Sequence, residues 1–191
     1  MERLGIFGGT FDPVHVGHLA AACAAHYQLQ LDRVLLMVAP QPWQKEASVV
    51  APPEARYEMV EAAIAGYEEL EVSRLELDRS GPTYTMDTIE LLRAPERELF
   101  LVMGADTAAG LETWSRANEL KDSVTIAIVE RDGVQSSPPP ESWRVEHVHM
   151  PRLDISSTDL RRRISAGEPV EFLIPLPAVR VLHAHSLYTS S

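Results

Sequence analysis

One cysteine, Cys23, stands in 191 residues. A single thiol excludes an intramolecular disulfide framework and fits a reducing compartment. Its neighbours are Ala21, Ala22, Ala24 and Ala25, and no cation stands beside it to lower its pKa. It reads as a small buried packing residue, not a catalytic thiol. No stretch approaches the roughly 20 uninterrupted apolar residues that a membrane span needs. No basic region followed by an apolar run stands at the N-terminus, so no secretion signal is expected and the expected setting is cytoplasmic. Positive charge is scarce as well. Lys and Arg total 17 against 28 Asp and Glu, a formal net charge of −11. This argues against a broad nucleic-acid surface, because phosphate backbones repel an acidic protein. It does not exclude a small phosphorylated ligand, which needs only a local nest of amides and a few cations.

Apolar residues make up 45% of the chain, enough to build a core. Strand-like runs alternate with helix-like segments. Residues 3–8, 33–39, 70–77, 99–103, 124–129 and 145–149 read as strands. Residues 16–29, 54–67, 86–93, 106–120 and 156–166, with much of the tail, read as helices or mixed helix. Val34-Leu35-Leu36-Met37-Val38 is a continuous apolar run, as suits a strand buried on both faces of a parallel sheet. Residues 40–53 and 131–141 are rich in proline and read as loops. Alternating strands and helices predict an α/β fold: a doubly wound parallel sheet with a small helical C-terminal piece. Nothing divides residues 1–191, so one domain is expected. Ligands of such sheets bind beyond the carboxyl ends of the strands. The informative loops follow strands.

The string Gly8-Gly9-Thr10-Phe11-Asp12-Pro13-Val14-His15-Val16-Gly17-His18 leaves the first strand. Gly8 and Gly9 allow a sharp turn and a close approach of backbone to ligand. The next helix starts near His15 or Val16, so its first amides face the same space and suit an anion. His15 and His18 are three apart, neighbours on one face. Two imidazoles beside helix amides can donate to a phosphate chain. They could also ligate a metal, but no further Cys, His or acidic ligand stands nearby in sequence, and no protein metal site is expected. Asp12 reads as a turn cap. Farther on, Ile155-Ser156-Ser157-Thr158-Asp159-Leu160-Arg161 reads as a helix start, with Ser156 and Asp159 in capping-box positions. Arg162 and Arg163 read as solvent-facing.

The first string resembles the H-x-G-H signature of a nucleotidyltransferase superfamily. More narrowly, it is similar to that of bacterial nicotinate-nucleotide adenylyltransferases. The resemblance implies that His15 and His18 bind the ATP phosphates and steady the transition state. It implies that Gly8, Gly9, Thr10 and Phe11 line the nucleotide site. The second string matches that family's I-S-S-T-x-[IVL]-R motif. By that match Ser156, Ser157, Thr158 and Arg161 contact the triphosphate, with Ile155 alongside. Pro82-Thr83-Tyr84-Thr85-Met86-Asp87-Thr88 resembles a family segment of the acceptor pocket, which brings in Tyr84 and Thr85. On composition alone it is a capped loop, with Thr85 able to start a helix.

Gly104-Ala105-Asp106 and Trp114 resemble the family's G-x-D…W pattern. It implies that Gly104 and Asp106 meet a nucleotide and that Trp114 stacks on the pyridine ring. Pro40-Gln41-Pro42-Trp43-Gln44-Lys45 departs from the common P-H-[KR] ending, with Lys45 left to reach phosphate. Arg131-Asp132-Gly133 stands where Arg-Pro-Gly is frequent, putting Arg131 at a strand end near ATP. Arg56-Tyr57-Glu58-Met59 resembles an R-x-x-M pattern of no stated role.

The function implied is transfer of the adenylyl group of ATP to nicotinic acid mononucleotide. Mg²⁺ would accompany ATP as co-substrate, largely water-coordinated. An adenylyltransferase for nicotinamide mononucleotide or phosphopantetheine, and a non-catalytic nucleotide-binding module, stay open as alternatives. So does a homo-oligomer.

Overall fold

The computed structural model describes residues 1–40, 51–131 and 141–189. The chain runs β1 (Glu2–Gly9), α1 (Val16–Gln28), β2 (Arg33–Val38), α2 (Pro53–Ile64), β3 (Leu70–Ser73) and α3 (Thr85–Leu92). It continues with β4 (Arg97–Gly104), α4 (Ala105–Ala108), α5 (Ala117–Ser123), β5 (Thr125–Arg131), β6 (Val145–Met150), α6 (Ser157–Ser165) and α7 (Leu176–Ala184). The strands form one sheet in the order β3-β2-β1-β4-β5-β6, and every neighbouring pair is parallel. The doubly wound α/β expectation therefore holds. No described helix is long and apolar enough to cross a membrane.

Side chains alternate between two cores, as a pleated strand requires. Val34, Leu36 and Val38 of β2, with Phe100 and Val102 of β4, join the layer built from α1, α2, α6 and α7. Leu35 and Met37 of β2, with Leu99, Leu101 and Met103 of β4, join the layer of α3, α4 and α5. Each such side chain, fully buried, contributes about 1.5–3 kcal/mol by leaving water. Both faces of the central strands are thus apolar, which is why β2 reads as an unbroken hydrophobic run. Cys23 is half-buried where a buried residue was expected; it packs against the first core layer, and burial pushes its thiol upward.

Two element expectations are corrected. Residues 106–120 are not one mixed helix. They split into α4, a single 3-10 turn at Leu111–Thr113, and α5. Turns through Gly110 and the left-handed Arg116 (φ +57°) break the axis. The strand expected over 70–77 stops at Ser73, because residues 74–79 leave the sheet edge in turns, with the Asp78 amide donating to the Arg74 carbonyl at 3.0 Å.

The chain leaves β1 toward β2 on one side and returns into β4 on the other. The carboxyl ends of β1 and β4 therefore flank the point where strand order reverses, the place where sheets of this kind bind ligands.

Candidate active site

The segment after β1 is held in a bent form. Phe11 takes φ +50°, and the Asp12–Pro13 peptide is cis. Phe11 is buried and turns its ring back over Gly9, where a Cβ would lie 2.7 Å from the ring's Cζ. Any larger residue at 9 would displace that ring. Phe11 then meets Phe7 edge-on at 5.9 Å and His18 edge-on at 5.0 Å. It serves as the support beneath His18, with Gly8 exposed above.

His15 caps α1 and stacks on His18, with ring centroids 3.7 Å apart and planes 25° apart. Gly17 permits this, since a Cβ there would come within 3.0 Å of His15 Nδ1. The His15 amide donates to His18 Nδ1 at 3.2 Å. Accepting at Nδ1 places the proton of a neutral His18 on Nε2, so the outer nitrogen is a donor. Not every helix amide serves the site: the Val16 amide is taken by the Leu173 carbonyl at 3.0 Å.

The second motif docks directly on the first. Ser157 Oγ donates to the Pro13 carbonyl at 3.0 Å. Arg161 Nη1 donates to the Asp12 carbonyl at 2.7 Å, and Nη2 to Thr158 Oγ1 at 3.3 Å. Ser156 caps α6 by accepting from the Asp159 amide at 3.2 Å. The expected capping box is only half formed, because the Asp159 carboxylate turns to Arg162 and Arg163. Ile155 is half-buried against the core. Arg162 is exposed as expected, whereas Arg163 is half-buried. Ser157 and Arg161 thus hold the main chain of the loop that leads from β1 to His15 and His18.

Asp12 reaches far beyond its own turn. Its carboxylate is buried and accepts from the Ala51 amide at 3.1 Å and the Tyr188 hydroxyl at 2.6 Å. Its Oδ2 lies 3.6 Å from Arg161 Nη1. Arg56, whose role sequence reading missed, is fully buried beside this network. It donates to the carbonyls of Thr10, Ala39, Pro40 and Ala51 at 2.7–3.2 Å. Its place on the buried face of α2, with Ala55, Met59, Val60 and Ala63, was the available signal. A cation at a core position needs buried acceptors.

A second cluster lies on the other face of the sheet. Tyr84 caps α3 and is exposed; Thr85 is the first helical residue, not the cap. Asp87 pairs with Arg79 at 3.0 Å and with Arg116 at 3.2 Å. Arg116 also pairs with Glu90 and Glu119. These bonds tie the 81–88 segment to the turn that carries Trp114, which is half-buried against the second core layer. Glu76 accepts from Thr88 Oγ1 at 2.9 Å, and burial pushes its carboxyl above the ordinary range. Gly104 and Asp106 are exposed where β4 passes into α4, and Arg131 closes β5. Trp43 and Lys45 lie outside the described residues, as do 132–140 of the expected second loop.

The donor set is imidazole, hydroxyl and guanidinium, chemistry that suits phosphate. Among the described residues no group of three His, Cys, Asp or Glu is placed to hold a metal ion.

The model of the cytidylyltransferase-like family matches residues 6–163. A "probable nicotinate-nucleotide adenylyltransferase" of Thermus thermophilus is 43% identical over 190 residues, covering 97% of this chain and 99% of that protein. One of Corynebacterium kroppenstedtii is 42% identical over 194 residues, covering 99% and 92%. The fold matches that of Plasmodium falciparum nicotinic acid mononucleotide adenylyltransferase complexed with NaAD, with a TM-score of 0.81, 17% identity and 98% of both chains covered. The chain belongs to the cytidylyltransferase-like family and, within it, to the nicotinate-nucleotide adenylyltransferases.

Proposed function

We propose that the chain, acting as one nucleotidyltransferase domain, transfers the adenylyl group of ATP to nicotinic acid mononucleotide, giving nicotinic acid adenine dinucleotide and pyrophosphate. One observation carries the reading. The imidazole motif and the hydroxyl-and-arginine motif, more than 140 residues apart, are bonded together through Ser157–Pro13 and Arg161–Asp12. Family membership adds the acceptor.

In this reading a phosphate oxygen of the mononucleotide attacks the α-phosphorus of ATP in line, the α–β bridging bond breaks, and pyrophosphate leaves. The attacking oxygen is already anionic, so no strong base is needed. Catalysis rests on positioning and on charge neutralisation. His18 Nε2–H, steadied by Phe11 and by the His15 amide, donates to the α-phosphate as charge grows there. His15, Ser156, Ser157, Thr158 and Arg161 hold the triphosphate, and Gly8, Gly9, Thr10, Phe11 and Ile155 shape the nucleotide's seat. Gly104, Asp106 and Arg131 line the remaining strand ends, and Lys45 reaches phosphate from its loop. Tyr84, Thr85 and Trp114 take the acceptor on the opposite face of the sheet, the ring of Trp114 against the pyridine. Mg²⁺ enters with ATP as part of that substrate, since the described residues of the site offer donors to phosphate rather than a carboxylate cage.

The test is to mix the protein with ATP, Mg²⁺ and a panel of acceptors and to follow pyrophosphate release. Release is expected with nicotinic acid mononucleotide. Faster turnover of nicotinamide mononucleotide or phosphopantetheine would replace the acceptor assignment. No release with any acceptor would leave a binding module.

A further inference from the structure

The turn after α7 carries a tyrosine that the mechanism above does not use. Tyr188 is almost fully buried in the first core layer, and its hydroxyl donates to Asp12 Oδ1 across 176 positions of sequence. The turn is held in a conformation that side chains rarely adopt: Ser186 takes φ +50° and Tyr188 φ +61°. The Leu187 amide donates to Leu182 O at 3.0 Å, and the Ser186 amide to His183 O at 3.1 Å. Left-handed residues that are not glycine persist where their surroundings over-determine them. Here the fixed point is the Asp12 carboxylate, whose other oxygen faces Arg161 at 3.6 Å. Arg161 is itself only 16% exposed.

We infer that Tyr188 is a positioning residue for Arg161, acting through Asp12, and that it sets how much of the Arg161 charge is available to the ATP phosphates; the inference rests on the adenylyl-transfer reading above. A buried carboxylate beside a guanidinium draws that cation toward itself and away from a phosphate. Tyr188 and the Ala51 amide occupy Oδ1, fix the carboxylate plane and disperse its charge. Arg161 Nη1 is thereby bonded to the Asp12 main-chain oxygen at 2.7 Å, while its ion pair to Oδ2 is held at 3.6 Å. Without the hydroxyl, the carboxylate turns further toward Arg161 and shortens that pair. Burial, and then the bond to Asp12, push the Tyr188 phenol far above its ordinary range, so it remains a donor at any working pH.

Tyr188→Phe removes the hydroxyl and keeps the ring in the core. The kinetic constants for ATP and for the acceptor are measured separately, beside the dissociation constant of MgATP. The expected result is a loss of about tenfold in kcat/KM for ATP and in MgATP affinity, the scale of one hydrogen bond to a charged group, with the acceptor KM unchanged. Unchanged ATP constants, or equal losses for both substrates, would overturn the inference. If the wild type binds MgATP but transfers no adenylyl group, the functional reading fails while the two dissociation constants still decide the role of Tyr188. A second measurement needs no variant. In wild-type protein labelled at tyrosine Cζ, the Tyr188 signal should shift on adding MgATP and stay still on adding acceptor alone. A signal that ignores MgATP would overturn the inference even if the Phe variant did not fold.

Discussion

Replacing Arg56 with Met tests whether the site's floor depends on one buried cation. Met keeps most of the apolar stem and removes every donor. The carbonyls of Thr10, Ala39, Pro40 and Ala51 each lose the guanidinium that now binds them. A buried acceptor left without its donor costs about 1–3 kcal/mol. Four of them set a gross loss of about 4–12 kcal/mol on that scale. Part is returned, because folding no longer strips water from a cation. Burial already holds the Arg56 guanidinium below its usual pKa, the mark of that cost. The expected net loss is about 4 kcal/mol, within the range for removing one partner of a buried charged network.

For a chain of this size each kcal/mol moves the melting temperature by about 2–4 °C. Arg56→Met should therefore melt about 8–16 °C below wild type in calorimetry at pH 7. Arg56→Lys should fall between the two, since one ammonium cannot span acceptors from three separate chain segments. Turnover should fall in both variants even well below the melting point, because the Thr10 carbonyl anchors the loop that leads to His15 and His18. A drop of less than about 3 °C in the Met variant would refute the reasoning, since it would mean that the carbonyls rehydrate at little cost.

Three further outcomes follow from the site. His18→Ala should lower kcat by about a hundredfold or more, the scale of losing a preorganised donor to transition-state charge; near-normal turnover in a pyrophosphate-release assay would remove His18 from its role. Trp114→Ala should raise the acceptor KM about tenfold, as for the loss of one stacked ring; a rise confined to the ATP KM would contradict the stacking assignment. Glu76→Gln should melt above wild type at neutral pH, because a carboxyl whose folded pKa is raised opposes folding when ionised. That advantage should shrink as the pH falls through the raised folded value toward the unfolded one near 4.5, where the native Glu76 is already protonated. A gap between the two melting curves that stays constant with pH would show that Glu76 is not held above its ordinary range.

What was legible in the sequence was what repeats locally. The β2 run and the unbroken apolar run Leu99–Met103 of β4 follow from burial on both faces of a parallel strand, so the α/β class, the placing of most elements and the order of the motifs were all within reach. The breaks were harder. Residues 106–120 have helical composition, yet the chain turns at Gly110 and enters α5 through a left-handed Arg116, whose side chain is held by Asp87, Glu90 and Glu119. Two of those partners, Asp87 and Glu90, come from another helix, a setting that no local propensity encodes.

The same holds for the buried polar hub. Asp12 has the composition of a turn cap, and a cap would satisfy a neighbouring amide. Its carboxylate also meets Ala51, Arg161 and Tyr188, which sequence spacing does not connect. The motifs name the groups able to meet phosphate. Asp12, Arg56 and Tyr188, which bond around the loop after β1, are legible only once the sheet has brought three distant segments to one strand end. A carboxylate buried between a tyrosine and an arginine stays ordered only if every partner is in place, since a half-satisfied network in a low dielectric costs more than none. The geometry of the β1 strand end is therefore a property of the whole fold, closed by the turn that carries Tyr188.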